Sequence, residues 1–237
     1  MKVFADTDIG KMRNMNQDSY YVSESMGLYI LADGMGGYTG GEVASQLAVK
    51  SVRKYMEENR TRFSQETLPN LLKEATDFAN EVIYDSAKEN KNLEEMGTTL
   101  EICVVYQGTA YMSHIGDSRI YSICHPQITH LTTDHSYVEK LIKDGTITRE
   151  EAKNHPDKHV LMKALGCMPT VEADILQKKL QPNEILLICS DGLTNMLADP
   201  EIKEVVNRNT IDPAKELIER ANLAGGYDNI TAIVIHT

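Results

Sequence analysis

The order of the predicted strands and helices restricts the fold of this chain more than any other feature. Two long segments, residues 41–59 and 69–90, carry apolar residues at the helical period and are predicted helices. They follow one another between strands instead of alternating with them, which disfavours a doubly wound parallel sheet. We therefore predict an α+β fold, with packed, largely antiparallel sheets and helices outside them. The predicted strands cover residues 2–6, 19–23, 28–32, 99–106, 109–115, 119–124, 172–178, 184–190 and 230–236.

Short signals mark the starts of further helices. Asp199 and Asp212 are each followed by proline, which places a capping residue before a residue that suits a first helical turn. Thr148 with Glu151 fits a capping box. Each of these three points is therefore predicted to begin a short helix.

Residues 136–165 differ from the rest of the chain, because they are charged and poor in apolar residues. This composition indicates an exposed excursion from the core. The sequence contains no linker, internal repeat or low-complexity tract. We therefore expect a single domain over residues 1–237.

The net charge of −11 restricts the partners of the chain. Nucleic acids and anionic membranes bind basic surfaces, so neither is an expected partner. The longest apolar runs, such as residues 185–189, are far too short to cross a membrane. The first ten residues lack the apolar stretch of a signal peptide, and the four cysteines include no C-x-x-C pair. We expect a cytoplasmic, monomeric protein in a reducing compartment.

Five aspartates stand where apolar segments meet turns. A single aspartate at such a place says little, since aspartate favours turns in any protein. In packed sheets, however, strand ends from separate parts of the chain converge, so these acids are expected to meet. Carboxylates that meet repel one another unless a cation lies between them. The five are Asp18, Asp33, Asp117, Asp191 and Asp228.

The ligand chemistry of such a cluster indicates a hard divalent metal. Oxygen ligands without nearby histidine and cysteine favour Mg²⁺ or Mn²⁺ over Zn²⁺. Two such ions, about 3.5–4 Å apart, can share a carboxylate and a water molecule and turn that water into a nucleophile. The segment YILADGMGGYTGGE, residues 29–42, fits this chemistry. Asp33 would hold the metal, the metal would hold a phosphate group, and the carbonyl of Gly34 would be a further ligand.

Other phosphate-binding signatures are incomplete in this sequence. A Walker A loop needs Gly-Lys-Ser/Thr, but the glycine pair at 40–41 is followed by Glu42. A dinucleotide fingerprint that begins at Gly34 has Thr39 at its last place, and no cysteine is followed by the spacing of a cysteine phosphatase. Residues 3–10 only approach the motif of the aspartate-nucleophile phosphatases.

Eight short segments occur in a characteristic order along almost the whole chain. They are RNMNQDS (13–19), ADGMGG (32–37), MGTTL (96–100), HIGDSRIY (114–121), LTTDHS (131–136), LMKALG (161–166), CSDGLTN (189–195) and GGYDNITAIVI (225–235). As a set they resemble the metal-dependent serine/threonine phosphatases, the type 2C protein phosphatases, and in particular the compact bacterial members. The resemblance implies a four-layer α-β-β-α sandwich, with a central antiparallel β-sandwich and helices on both outer faces.

The resemblance also implies a role for each acid. Asp33 would bridge two Mn²⁺ or Mg²⁺ ions and be catalytic through them, assisted by the carbonyl of the glycine that follows it. Asp191 and Asp228 would complete the coordination of the first ion. Asp117, with Asp191, matches the acid that helps to hold a third ion in bacterial members. Asp18 matches an acid near the second ion that acts through water.

Arg13 matches the arginine that binds the substrate phosphate, and its forked guanidinium suits a phosphoryl group. Two positions depart from the pattern of many members. Gln17 stands where they have glutamate, which puts that metal contact in doubt. Met35 stands where they have histidine, a proposed general acid, so the proton donor is unassigned. His114 is expected to be structural, because a lone histidine is usually satisfied by its neighbours.

The activity that the resemblance implies is hydrolysis of phosphoserine and phosphothreonine in proteins. A hydroxide that bridges the two ions would attack phosphorus in line, without a phosphoenzyme, while Arg13 and the metals stabilise the charge of the transferred group. Residues 136–165 would be the variable flap beside the active site. The expected partners are phosphorylated proteins and a bacterial serine/threonine kinase whose action the enzyme reverses.

Three alternatives remain open. The enzyme could be specialised for a single regulatory phosphoprotein. The chain could instead be a catalytically inactive member that binds phosphoproteins, although the complete set of acids argues against this. A structural metal-binding domain would bind Ca²⁺ tightly and show no turnover. Hydrolysis of a phosphopeptide in the presence of Mn²⁺ would distinguish an enzyme from an inactive binding protein and from a structural metal-binding domain.

Overall fold

Two antiparallel sheets form the centre of the structure, a computed structural model that describes residues 1–36, 39–208 and 210–237. Gly37, the last residue of the segment ADGMGG, lies outside these ranges. The strands within them are β1 (Lys2–Asp8), β2 (Asp18–Ser23), β3 (Leu28–Met35), β4 (Gly97–Thr98), β5 (Leu100–Tyr106), β6 (Thr109–Ile115), β7 (Arg119–Cys124), β8 (Gln127–His130), β9 (Asp174–Lys179), β10 (Ile185–Cys189) and β11 (Ile230–His236). One sheet has the order β1-β11-β10-β7-β8. The other has the order β2-β3-β5-β6-β9, with β4 paired to β3.

Helices cover the outer face of each sheet. Those in the described residues are α1 (Gly40–Glu58), α2 (Leu68–Glu89), α3 (Tyr137–Lys143), α4 (Arg149–Lys153), α5 (Asp191–Thr194), α6 (Asp199–Asn207) and α7 (Pro213–Leu223). The two long helices, α1 and α2, lie within one residue of their predicted bounds and pack on the sheet that contains β3. The helices α5, α6 and α7 pack on the sheet that contains β11.

The burial of β3 shows why the chain forms four layers. Successive side chains of a strand point to opposite faces of its sheet. Leu28 and Ile30 accordingly pack beneath α1 and α2, whereas Tyr29 and Leu31 pack between the two sheets. Both faces of this strand are therefore apolar, and the predicted four-layer α-β-β-α sandwich is confirmed.

The segment 136–165 leaves the sandwich and carries α3 and α4. Most of its residues are exposed or half-buried, as its composition predicts. Thr148 and Glu151 form the predicted capping box at the start of α4. A β-bridge between Ser136 and Leu161 brings the two ends of the segment together.

Several local features differ from the sequence-based predictions. The short strands β4 and β8 were not predicted, because β4 has two residues and β8 is a half-exposed edge strand with few apolar side chains. Asp212 caps α7 as predicted, since its Oδ1 accepts from the main-chain N–H of Lys215 at 3.1 Å. Asp199, in contrast, is the first residue of α6, and the cap position belongs to Ala198. Within the described ranges, the helices are all too short or too polar to cross a membrane.

Candidate metal centre

Asp18 and Asp33 are register partners in the β2–β3 pair. Asp18 is buried, and its Oδ2 accepts hydrogen bonds from Ser190 Oγ at 2.8 Å and Thr231 Oγ1 at 2.7 Å. Its Oδ1 is also buried, without a hydrogen-bond partner among the residues that the structure describes. A buried carboxylate oxygen of this kind is costly unless a water or a cation supplies the missing contact.

The other three acids come from loops at the same end of the sandwich. Asp117 lies between β6 and β7, Asp191 follows β10 as the first residue of α5, and Asp228 precedes β11. Because β2, β3 and β6 belong to one sheet and β10 and β11 to the other, the acids meet where the two sheets join. The negative charges of the other four all act on Asp33, so the structure brings the predicted set together.

Burial and mutual repulsion raise the pKa values of Asp18, Asp33, Asp117 and Asp191. Burial is the largest cause in each case, and neighbouring carboxylates add to it. The pKa of Asp18 rises to about 7. The pKa values of Asp33 and Asp117 lie well above their usual range, and the pKa of Asp191 is also raised. A divalent cation among the carboxylates would reverse this local balance of charge.

Besides Asp18, protein partners orient two further carboxylates. Asn195 Nδ2 donates to Asp191 Oδ2 at 2.9 Å, and Arg13 Nη2 donates to Asp228 Oδ2 at 2.7 Å. In the part of the chain that the structure describes, no three Asp, Glu, His or Cys side chains are arranged closely enough to hold a metal ion as they stand. The charge and the oxygen donors fit a hard divalent metal, although the acidic side chains have to move closer together to bind it.

Thr99 holds the main chain of Asp33 in place. The N–H of Asp33 donates to Thr99 Oγ1 at 2.9 Å, and the N–H of Thr99 donates to the carbonyl of Asp33 at 2.9 Å. Thr98 Oγ1 donates to the same carbonyl at 2.9 Å. Thr99 Oγ1 is also hydrogen-bonded to Ser118 Oγ, at 2.9 Å, next to Asp117. A single hydroxyl thus connects the strand of Asp33 to the loop of Asp117.

Gly34 is crowded by the start of α1. A Cβ at Gly34 would collide with the carbonyl of Gly41 and lie 2.7 Å from the carbonyl of Gln17. The glycine after Asp33 therefore lets the helix approach the strand. Its expected role as a carbonyl ligand stays a prediction.

Asn229, which is not among the residues predicted from the sequence, secures the loop before β2. Its Nδ2 donates to the carbonyls of Ile9 and Met15, at 2.9 and 3.0 Å. Its Oδ1 accepts from the N–H of Gln17 at 2.8 Å. Asn229 thereby fixes the loop that carries Arg13. Its position, directly after Asp228 and before an apolar strand, is the one sequence signal that could have identified it.

The profile of the family described as Protein phosphatase 2C matches residues 11–224 of this chain. The chain belongs to the protein phosphatase 2C family. It is 36% identical to the serine/threonine phosphatase Stp of Listeria monocytogenes, over 97% of this chain and 93% of that protein.

Solved structures of phosphatases have the same fold. The Streptococcus agalactiae serine/threonine phosphatase superimposes with a TM-score of 0.93 at 34% identity, over 100% of this chain and 99% of that one. The catalytic domain of the phosphatase PstP, in complex with two manganese ions, superimposes with a TM-score of 0.88 at 33% identity, over 98% of this chain and 96% of that one. The expected family and fold are confirmed.

The two positions that depart from the phosphatase 2C pattern lie beside the acids. Met35 is half-buried in β3, two residues after Asp33 and opposite Gly97. Gln17 directly precedes Asp18, and its carbonyl accepts from the N–H of Gly34 at 3.1 Å. Arg13 is exposed at the rim of the acid cluster, where it pairs with Asp228. The individual roles of all these residues remain predictions.

His114 is structural, as predicted. Its side chain is fully buried in β6, with Nδ1 bonded to Glu101 and Nε2 at 2.9 Å from the carbonyl of Thr133. Burial raises the pKa of Glu101 to about 7, whereas the carboxylate of Glu101 raises the pKa of His114 against the opposing effect of its own burial.

Proposed function

We propose that this chain is a metal-dependent protein serine/threonine phosphatase that hydrolyses phosphoserine and phosphothreonine. The observation that carries the proposal is the convergence of five aspartates from both sheets, four of them with raised pKa values. Membership of the protein phosphatase 2C family supports it. So does the full-length similarity to serine/threonine phosphatases.

The proposed cofactor is Mn²⁺ or Mg²⁺, with two ions in the main site. Oxygen ligands suit both metals, and the related PstP structure contains two manganese ions. Asp33 would hold both ions, Asp191 and Asp228 the first, and Asp18 would act near the second. Asp117, with Asp191, would hold a third. When bound, such ions make a water molecule nucleophilic at neutral pH.

Arg13 is the proposed ligand of the substrate phosphate. Half of its side chain is exposed, and the carboxylate it pairs with in the described part of the chain belongs to a proposed metal ligand, Asp228. If a bound metal drew Asp228 away, the guanidinium would be free to form paired hydrogen bonds with two phosphate oxygens. Its positive charge then stabilises the negative charge that develops on the transferred group.

The leaving serine or threonine oxygen needs a proton. Met35 has none to donate, although it lies two residues from Asp33 along the same strand. We assign this proton to water or to a residue of the segment 136–165, which we propose as the flap beside the active site.

The chain is proposed to act as one catalytic domain over residues 1–237, as a cytoplasmic monomer. Its substrates are proposed to be phosphoproteins, including the targets of a bacterial serine/threonine kinase. The net charge of −11 disfavours nucleic acids and anionic membranes as partners.

Hydrolysis of a phosphothreonine peptide, measured with Mn²⁺ and again with excess chelator, tests this function. We expect turnover with Mn²⁺, none with chelator, and recovery when Mn²⁺ is restored. The variant Asp33→Asn should be inactive under all three conditions. Tight binding of the phosphopeptide without turnover would instead identify a binding module, and tight Ca²⁺ binding without turnover would identify a structural metal domain.

A further inference from the structure

His135 holds both peptide groups of Gly116, the residue before Asp117. Its main-chain N–H donates to the carbonyl of Gly116 at 2.7 Å. The N–H of Gly116 in turn donates to the ring Nδ1 of His135 at 3.2 Å. The side chain of His135 is only 9% exposed, so these bonds are shielded from water. Two hydrogen bonds from one residue therefore fix the orientation of the loop at Asp117.

The conformation of Gly116 makes this support important. Its φ is +106°, and a Cβ at this position would lie 2.7 Å from the Cβ of Thr99. Glycine reaches such backbone angles but also has more freedom to leave them than other residues. Because a larger residue does not fit at position 116, the rigidity of this loop depends on contacts with residues outside the loop. His135 supplies them on one side and Thr99, through Ser118, on the other.

The ring of His135 is itself held in one orientation. It packs against His114 with 4.5 Å between ring centroids and 34° between the ring planes, and its Nε2 lies 3.3 Å from Asp174 Oδ2. Because Nδ1 accepts from Gly116, the proton of the neutral ring is assigned to Nε2, which donates to Asp174. Burial lowers the pKa of His135 to about 4, which keeps Nδ1 available as an acceptor at neutral pH.

His135 also lies at the boundary of the segment 136–165. Its carbonyl accepts from the N–H of Met162 at 2.7 Å, and the following residue, Ser136, forms the β-bridge to Leu161. The same residue therefore contacts the loop of Asp117 and the returning end of the proposed flap.

We propose that His135 is a positioning residue that fixes the Asp117 loop for metal binding and ties it to the proposed flap at Met162. The proposal rests on the function proposed above, because it assumes that Asp117 contributes to a metal site. His135 is not proposed to touch the metal or the substrate. Its effect is exerted through the N–H of Gly116, which loses its acceptor when the ring is removed.

The test compares His135→Leu with His135→Asn. Asparagine places an oxygen near the position of Nδ1 and can still accept from Gly116, whereas leucine has a similar size and no acceptor. We assign the weakest Mn²⁺ binding event in calorimetric titration to the third ion, which Asp117 is proposed to hold. In His135→Leu this event should become about tenfold weaker or disappear, because a buried N–H loses its partner. His135→Asn should restore that event. The kcat for p-nitrophenyl phosphate should follow the same order, with KM changed less than twofold.

Two further variants complete the design. His155→Leu removes a histidine from the segment 136–165 that contacts Tyr137 and Asp157, and it should leave the weakest event unchanged. Asp117→Asn should abolish that event. If Asp117→Asn retains it, the assignment of Asp117 in the proposed function is wrong. If Asp117→Asn loses it and His135→Leu does not, the positioning role of His135 is overturned.

Loss of folding is controlled by unfolding each variant in urea with excess chelator. If His135→Leu is unfolded, His135→Gln replaces it, because glutamine extends past the position of Nδ1 and offers its polar group near Asp174 instead. If the weakest Mn²⁺ binding event in His135→Gln had the same affinity as in the wild type, the proposal would be contradicted. Loss of this event would support the proposal.

Discussion

Arg13 Nη2 lies 2.7 Å from Asp228 Oδ2, so the proposed phosphate ligand is paired with a proposed metal ligand. The guanidinium neutralises a carboxylate that a metal would otherwise neutralise, and the two cations are therefore expected to compete. The side chains are 50% and 32% exposed, which makes this pair weak and easily opened. Metal binding at Asp228 is expected to release Arg13 toward the substrate.

The variant Arg13→Ala should bind Mn²⁺ more tightly than the wild type. An exposed ion pair contributes up to about 1 kcal/mol, so we expect about a two- to fivefold gain in affinity by calorimetry. The same variant should lose at least about tenfold in kcat/KM for a phosphopeptide, because hydrogen bonds to a charged phosphate are lost. Lys11→Ala removes a positive charge from the same loop and serves as the control. An equal gain in both variants would indicate a general charge effect rather than competition at Asp228.

The variant Asp33→Asn should be inactive and yet remain folded. The amide removes a charge that burial and four carboxylates oppose, which relieves repulsion in the metal-free protein. With chelator at pH 7, we expect a melting temperature at least equal to that of the wild type, with unchanged circular dichroism. Asp85→Asn, on an exposed position of α2, controls for the loss of one negative charge. Near-normal turnover of Asp33→Asn at saturating Mn²⁺ would show that Asp33 does not bridge the metals.

The variant Thr99→Val should disturb the proposed metal site from a distance. Valine keeps the shape of threonine but leaves the N–H of Asp33 without its acceptor and breaks the contact with Ser118. We expect a loss of about 1–3 kcal/mol in the free energy of unfolding with chelator present, together with weaker Mn²⁺ binding. Thr99→Ser keeps the hydroxyl and should restore most of the Mn²⁺ affinity. If the valine variant kept wild-type Mn²⁺ affinity and the serine variant lost it, the methyl group against Gly116 would matter more than the hydroxyl.

The sequence was sufficient to predict the layers and the positions of the acids. Apolar runs such as 28–32 and 185–189 end one or two residues before Asp33 and Asp191, so strand ends and acids could be found together. The partners of these acids could not be found in this way. Thr231 and Asp18 are 213 residues apart, and a threonine inside an apolar strand has no local feature that identifies its bond to a distant carboxylate. The same is true of Thr99 and His135, because their contacts exist only after the two sheets have packed.

The stability of the protein should fall below pH 6.5 partly because of His130. This residue stacks on Tyr121 with 5.0 Å between ring centroids, and burial followed by the charge of Arg119 lowers its pKa to about 4. The folded state thus binds this proton more weakly than the unfolded state, whose histidine has a pKa of about 6.5. The contribution of His130 to the free energy of unfolding is therefore fully present above pH 6.5 and is lost as the pH falls toward 4.

The variant His130→Gln tests this effect, because it removes the titrating group and keeps a polar side chain near Thr132. Urea unfolding with chelator at pH 7 and pH 5 gives the free energy at each pH. Between these two values, the wild type should lose about 1–2 kcal/mol more than the variant. Parallel losses in the two proteins would show that His130 is not responsible.

The variant Met35→His should speed the hydrolysis of phosphoserine and phosphothreonine peptides more than that of p-nitrophenyl phosphate. A serine alkoxide needs a proton as the P–O bond breaks, whereas an aryl phosphate leaves as a stabilised phenolate. Residue 35 lies two positions after Asp33 in β3, so an imidazole there would be on the same side of the strand. A positioned general acid contributes about 10²–10⁴-fold. We expect a smaller gain, because water or the segment 136–165 already serves as the donor in our proposal.

The pH dependence of the Met35→His effect identifies its origin. The gain should be largest on the acidic limb, where an imidazole with a pKa of about 6.5 is protonated. The measurement is kcat against pH for both substrates at saturating Mn²⁺, in the wild type and in Met35→His. Met35→Gln is the matched control, since it adds a polar group of similar size that does not titrate. Equal gains for the two substrates would mean that residue 35 does not face the leaving group, and the argument for a general acid at this position would fail.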